Sequence, residues 1–413
     1  MSGVELTQAE KKAFDRTQRK AKRTALFFVL PLLLFILVSF ILPIGTMLFR
    51  SVYHPVVAEL IPKTLHELKS WDESSDEIPQ AETLKVFAGE LKLLVEDKTF
   101  GKLAEEINRS SPGASSMIKS TARKMSRLDD AEIQAQGDQE LLATNKKWSN
   151  PQVWRAMKKA GSVFTGSYYL TAVDMERNPD GKVVARGTQI YTDLYIKSLK
   201  IALYITLLAG LIGFPLAYYL ANASERTANI LMVFVLLPFW TSLLVRTTSW
   251  MALLQTNGVV NSVLQGLHIT SQPLEMLYTQ FATIIAMTHI LLPFMILPLY
   301  SVMKGIDPSY FRAALSLGAK PIPAFIRIYL PMTTPGFSAG ALLVFIISIG
   351  YYITPALVGG VDGQMISNLI AFHMQSSNNW ELAAALGSLL LALILAMYWL
   401  YDRLVGVSNL KLG

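Results

Sequence analysis

Long apolar runs alternate with short polar ones over most of this chain. A bilayer-spanning helix needs about 20 mostly apolar residues. Six runs approach or exceed that length: Ala25–Phe49, Ile201–Ala221, Ala228–Val245, Phe281–Met303, Gly336–Leu357 and Leu382–Leu400. None contains Asp, Glu, Lys or Arg. The first is too long for the apolar part of a cleaved signal peptide, and no small-residue cleavage site follows it, so it is read as a retained span. Prolines 215, 238, 293, 298 and 355 fall inside these runs. Each frees a backbone carbonyl that lipid cannot satisfy, so the pattern predicts a packed bundle rather than isolated anchors.

One segment breaks the pattern. Between Ser51 and Tyr195 lie 19 of the 37 basic and 21 of the 30 acidic residues. Here "AETLKVFAGELKLLVED" and "PQVWRAMKKAGSVF" carry apolar residues at helical spacing. "SYYLTAVDMERNPDGKVVARG" reads as two short strands around an Asn-Pro-Asp-Gly turn. The expectation is a mainly helical domain at 51–195, inserted between the first two spans. It either docks a soluble protein or braces its own chain, and it contains no catalytic constellation.

Charge sets the orientation. Basic residues precede the first span (Lys11, Lys12, Arg16, Arg19, Lys20, Lys22, Arg23), and others lie at Arg226, Arg312, Lys320, Arg327, Arg403 and Lys411. With six spans, all fall on one side, which the positive-inside rule makes cytoplasmic. The opposite loops, Thr247–Gln280 and Val358–Glu381, contain no Lys or Arg. The net charge of +7 therefore follows membrane topology and not nucleic-acid binding. Hydrophobic residues make up 52% of the chain and charged ones 16%, against roughly a quarter charged in soluble proteins. There is no cysteine.

The densest punctuation lies between the fourth and fifth runs, in "DPSYFRAALSLGAKPIPAFIRIYLPMTTPG" (Asp307–Gly336). Asp307-Pro308 reads as an N-cap and first helical position. Tyr310, Phe311, Ala314 and Leu317 recur on one face, and Gly318 ends the helix, in a left-handed conformation. Pro321 and Pro323 permit only a new start, and Pro331 and Pro335 open the fifth span. The expectation is a short helix, a sharp turn and a second short helix along the cytoplasmic face. A mere connection would need only a few residues. About thirty are spent here, so docking competes with simple joining.

Ala313, Ala314, Gly318, Phe325, Leu330 and Pro331 form a pattern that resembles the EAA loop of permease subunits of binding-protein-dependent ABC importers. "LLPFWTSLLVRTTSW", "LLQTNGVVNSVL" and "YYITPALVGG" resemble the spermidine/putrescine branch. The resemblance covers the first span and Leu199 to the end. It implies an all-α membrane protein with the six-helix, MetI-like type I permease fold. It divides the chain into a basic cytoplasmic N-terminus (1–24), the first span (25–49), the insertion (51–195), a permease core (198–405, EAA loop 305–331) and a cytoplasmic tail (406–413). It implies that the loop couples the spans to a separate ATPase through Asp307, Arg312, Ala313, Ala314, Gly318, Ala319, Phe325 and Pro331. The family usually has Glu where Arg312 stands. It implies partners: a second permease subunit, two cytoplasmic ATP-binding subunits and a periplasmic solute-binding protein, in a bacterial inner membrane. The implied solute is a polyamine or a related small organic molecule; opines, amino-acid derivatives and iron stay open.

Other chemistry is sparse. There is no Gly-x-x-x-x-Gly-Lys-Ser/Thr run, so no phosphate-binding loop, and no cofactor or metal site is expected. No acidic residue lies inside a span, which weighs against a proton-coupled carrier. His289 lies inside one, either as a functional group or as a neutral partner of a neighbouring helix. Trp240, Arg246, Asn257, Tyr351, Tyr352 and Pro355 are candidates for the translocation path or outer gate. Aromatic faces attract organic cations, but membrane aromatics also serve as interfacial anchors. A receptor reading its outer domain is the competing class.

Overall fold

The computed structural model describes residues 8–178 and 182–405. It divides into two compact units, 1–168 and 169–413.

In the first unit, helix runs from Gln8 to Arg50, widened into a π-turn at Leu37–Ile41. Its stretch Lys20–Arg50 is long and apolar enough to cross a membrane. Short helices follow from Val56–Leu60 to Pro151–Ala160. They close on Trp148, Trp154 and Phe87, all fully buried. Both indoles are satisfied: Trp148 Nε1 donates to Thr121 Oγ1 and Trp154 Nε1 to the Trp148 carbonyl, each at 2.9 Å. The buried Glu90 carboxylate accepts the Lys63 and Thr64 amides at 2.8 and 2.9 Å, and so caps the helix Pro62–Leu68.

This unit closes at Tyr168, short of the expected boundary at Tyr195. Residues 169–195 pack with the second unit, for a local reason. Strands Met175–Arg177 and Val183–Ala185 pair antiparallel, Glu176 opposite Val184. The Asn-Pro-Asp-Gly turn expected between them lies largely outside the described residues. Asp174 precedes the hairpin at φ +55°. Its carboxylate accepts the Thr192 amide and hydroxyl, both at 2.7 Å, and so ties the hairpin to the start of helix Tyr191–Asn222. Burial opposes its charge, but the Thr192 bonds and the Tyr191 and Ile190 amides hold the carboxyl below its usual range.

The second unit is built on three long helices, Tyr191–Asn222, Gln280–Gly305 and Pro321–Gly350. Glycines let them approach. A Cβ at Gly336 would stand 2.8 Å from the Pro298 carbonyl oxygen, and one at Gly340 would stand 3.0 Å from that of Met295. Gly336 and Gly340 form a Gly-x-x-x-Gly pair, the spacing that admits close helix packing in membranes. Trp380–Arg403 is a further helix of spanning length.

Two expectations are corrected. The run Ala228–Val245 is not one straight span: helix Glu225–Trp240 stops, and Leu243–Gly266 departs at 99°. Five helices are of spanning length, six if the bent pair counts as one. The break falls at Thr241–Ser242, where Thr241 turns extended and Ser242 takes the N-cap position of the next helix. The second short helix after Gly318 is not separate either. Pro321–Gly350 runs as one 30-residue helix, ending at Gly350 and not at Leu357. Pro331 does not open that helix but is absorbed within it, two residues past a π-turn at Phe325–Tyr329.

Candidate functional site: an exposed helix-turn segment and a hydrogen-bonded corner

The segment Asp307–Phe325 is exposed over most of its length. The Ser309 amide donates to the Asp307 carboxylate at 2.8 Å and so caps the helix Pro308–Ser316. That bond, with the Arg312 charge behind it, holds the Asp307 carboxyl below its ordinary value. The helix ends as the local chemistry dictates: Gly318 adopts φ +88°, and a Cβ there would meet open space. Only the backbone conformation, not crowding, calls for glycine. Ala319 then donates to the Ala314 carbonyl at 3.1 Å and closes the turn.

Contacts separate the two alanines. Ala314 is buried and Ala313 is exposed. Leu317 and Ile322, either side of the turn, are 89% and 73% exposed. Phe325 anchors the turn from below: it stacks on Tyr329 and meets Tyr218 and Phe214 edge-on, on helix Tyr191–Asn222. Arg312, Lys320 and Arg327 are exposed. Pro331 is exposed as well.

At the other end of the unit the structure joins most of the path candidates. Helix Leu243–Leu254 meets helix Ile353–Val358 through a buried hydroxyl pair, Thr247 Oγ1 to Thr354 Oγ1 at 3.1 Å. Arg246 lies one residue before Thr247, and its charge acts on both Tyr351 and His289. Its Nε is buried and has no hydrogen-bond partner among the described residues. His289 is a partner of a neighbouring helix: Trp250 Nε1 donates to its Nδ1 at 3.2 Å, which leaves Nε2 to carry the proton of a neutral ring. Ser367 Oγ donates to the Tyr351 carbonyl and Asn368 Nδ2 to that of Tyr352, fixing the break between helices. Pro355 is buried beneath them.

Two candidates stand apart. Trp240 is 72% exposed at the end of its helix, and Asn257 is exposed in the loop beyond. The asparagine that organises this loop is Asn261, 1% exposed. It bonds Leu274 in both directions, at 2.9 and 2.8 Å. Sequence reading passed over it because residue type alone does not separate Asn257 from Asn261. Gly336 and Gly340 were also passed over, though their spacing was visible. Among the described residues no group of His, Asp and Glu could hold a metal ion.

The sequence profile of the family described as "Binding-protein-dependent transport system inner membrane component" matches residues 213–406. The spermidine/putrescine transport system permease protein PotB of Salmonella typhimurium is 35% identical over 219 residues, covering 52% of this chain and 76% of that protein. Its Escherichia coli counterpart is 34% identical, with 80% of its length covered. The E. coli inner membrane ABC transporter permease protein YdcU is 29% identical over 283 residues, 63% of this chain and 88% of that one. A solved bacterial ABC transporter that imports alginate is 19% identical, with 52% of this chain and 80% of that one covered and a TM-score of 0.42. The chain thus belongs to the inner membrane components of binding-protein-dependent transport systems, on the spermidine/putrescine branch of the type I ABC importer permeases, and is a multi-pass transport component rather than an enzyme.

Proposed function

We propose that this permease carries a polyamine, or a related small organic solute, inward across a bacterial inner membrane, with both its termini in the cytoplasm. The observation that carries the mechanism is the exposed helix-turn segment: capped by Asp307, turned at Gly318 and anchored by Phe325, it is a rigid knob. It passes the closure of a separate ATPase to the long helices. Two such ATP-binding subunits and a second permease subunit complete the transporter, and a periplasmic binding protein delivers the solute. The Arg246–Tyr351–Tyr352–Pro355 corner is read as this chain's part of the outer gate. The solute assignment rests on the similarity to PotB. Uptake by the assembled transporter with its own binding protein, over a panel of putrescine, spermidine, opines, amino-acid derivatives and ferric chelates, tests it. Polyamine uptake that needs this chain is expected. Uptake confined to another class would keep the permease and replace its solute.

A further inference from the structure

The knob's charge is one-sided. From Lys304 to Gly336 the chain has four basic residues, Lys304, Arg312, Lys320 and Arg327, and a single acid, Asp307. That acid is engaged, its carboxylate taken by the Ser309 amide. Lys304 is engaged too, donating to the Ala221 carbonyl at 3.4 Å. Arg312, Lys320 and Arg327 are exposed, and among the described residues none is in an ion pair. Along the chain Arg312 and Lys320 flank the exposed apolar residues of the tip, Leu317 and Ile322. An exposed apolar tip rimmed by unpaired cations fits a concave surface with an apolar floor and an acidic rim.

We infer that the groove receiving this knob on the ATP-binding subunit carries carboxylates opposite Arg312 and Lys320. The inference rests on the coupling role proposed above. The tip is a compact turn, Leu317 to Pro321, reversed at Gly318, a shape that fits a groove on a protein partner. A segment adsorbed on anionic lipid would instead lay a longer amphipathic face flat in the interface. The consequence is orthogonality. An ATPase built for an acidic knob would meet this one with like charge.

The test uses the complete transporter, purified with its own ATP-binding subunits in neutral detergent. ATPase subunit retained is measured from low to high salt for wild type, Arg312→Glu, Lys320→Glu and the double variant. Retention of the second permease subunit reports that each variant is folded. Charge reversal at contacting rim sites is expected to lower the salt concentration of half-release about threefold for each single variant, and further for the double. A Lys substitution of the facing carboxylate is expected to worsen wild type and rescue Arg312→Glu. Tighter retention would show a basic groove, and unchanged retention would remove the cations from the interface; either overturns the inference. Unchanged retention in detergent together with weaker binding of the variants to phosphatidylglycerol vesicles would assign the cations to lipid instead, and overturns it too. If wild type holds no ATPase at any salt, the coupling reading itself fails.

Discussion

At the scale of single residues, backbone conformation and charge decide. Gly318 has φ +88° with open space around it. Gly318→Val should therefore cost about 1–3 kcal/mol of backbone strain and misdirect the knob, so that ATP is hydrolysed without uptake. Gly318→Asn should stay near wild type, since asparagine tolerates this conformation. The ratio of solute taken up to ATP hydrolysed reads both. Asp174 offers a pH test. Its folded carboxyl lies below its usual range. Its contribution is thus fully present above the unfolded value of about 3.9 and is lost as pH falls through the lower, folded value. Asp174→Asn should lower thermal stability by about 1–3 kcal/mol at pH 7, as for a bond to a charged group. The gap between variant and wild type should close only below about pH 4; a gap constant down to pH 3 would refute the assignment. Asp307 and Gly318 were legible in the sequence because a cap and a left-handed stop are local chemistry. Asn261 was not, because its two bonds reach Leu274, thirteen positions further along the chain and beyond the end of its own helix.

At the scale of elements, close packing replaces hydrophobic driving force. Gly336→Ala places a methyl against the Pro298 carbonyl, a backbone atom that cannot swing aside. The helices must part, at roughly 1–3 kcal/mol. Gly350→Ala, with nothing within 4 Å, should cost little. Thermal unfolding of the purified complex distinguishes the two, and equal losses would refute the packing account. Periodicity placed the long helices, since a charge-free run of some twenty residues has few other fates. It could not place the 99° break at Thr241–Ser242, where the chain has neither glycine nor proline. Pro238, three residues earlier, and the Thr-Ser pair mark it, but proline and such hydroxyl residues are also common inside membrane helices. Pro331 misled in the other direction: it reads as the opening of the fifth span, but it lies just past the π-turn inside one continuous helix.

At the scale of the whole molecule, unit 1–168 has its own core around Trp148 and Trp154. A fragment of residues 51–168 should therefore fold alone and unfold cooperatively; a broad, non-cooperative melt would contradict that. Deleting 55–165 spares Asp174 and should leave the transporter assembled. If the insertion docks the binding protein, stimulation of ATP hydrolysis by loaded binding protein disappears. Unchanged stimulation makes it a brace. A charged segment of its own composition was legible in the sequence, but not the limit of the first compact unit at Tyr168, because the hairpin's allegiance rests on the Asp174 bonds to Thr192.

The π-turn at Phe325–Tyr329 gives the transporter a phase. Such a turn holds one residue more than an α-turn, and each residue of an α-helix advances it by about 100° and 1.5 Å. Deleting Ile326 should therefore let the turn close to regular helix with the knob's azimuth little changed, whereas deleting a residue from the regular helix after Tyr329 should swing everything before it, knob included, by about 100° around the axis of helix Pro321–Gly350. Side-chain replacement along that stretch changes the azimuth far less. Selection would then act on the number of residues between Tyr329 and Gly336 more strictly than on their identity, and insertions and deletions there should be purged where substitutions drift, with the π-turn the one place that absorbs them.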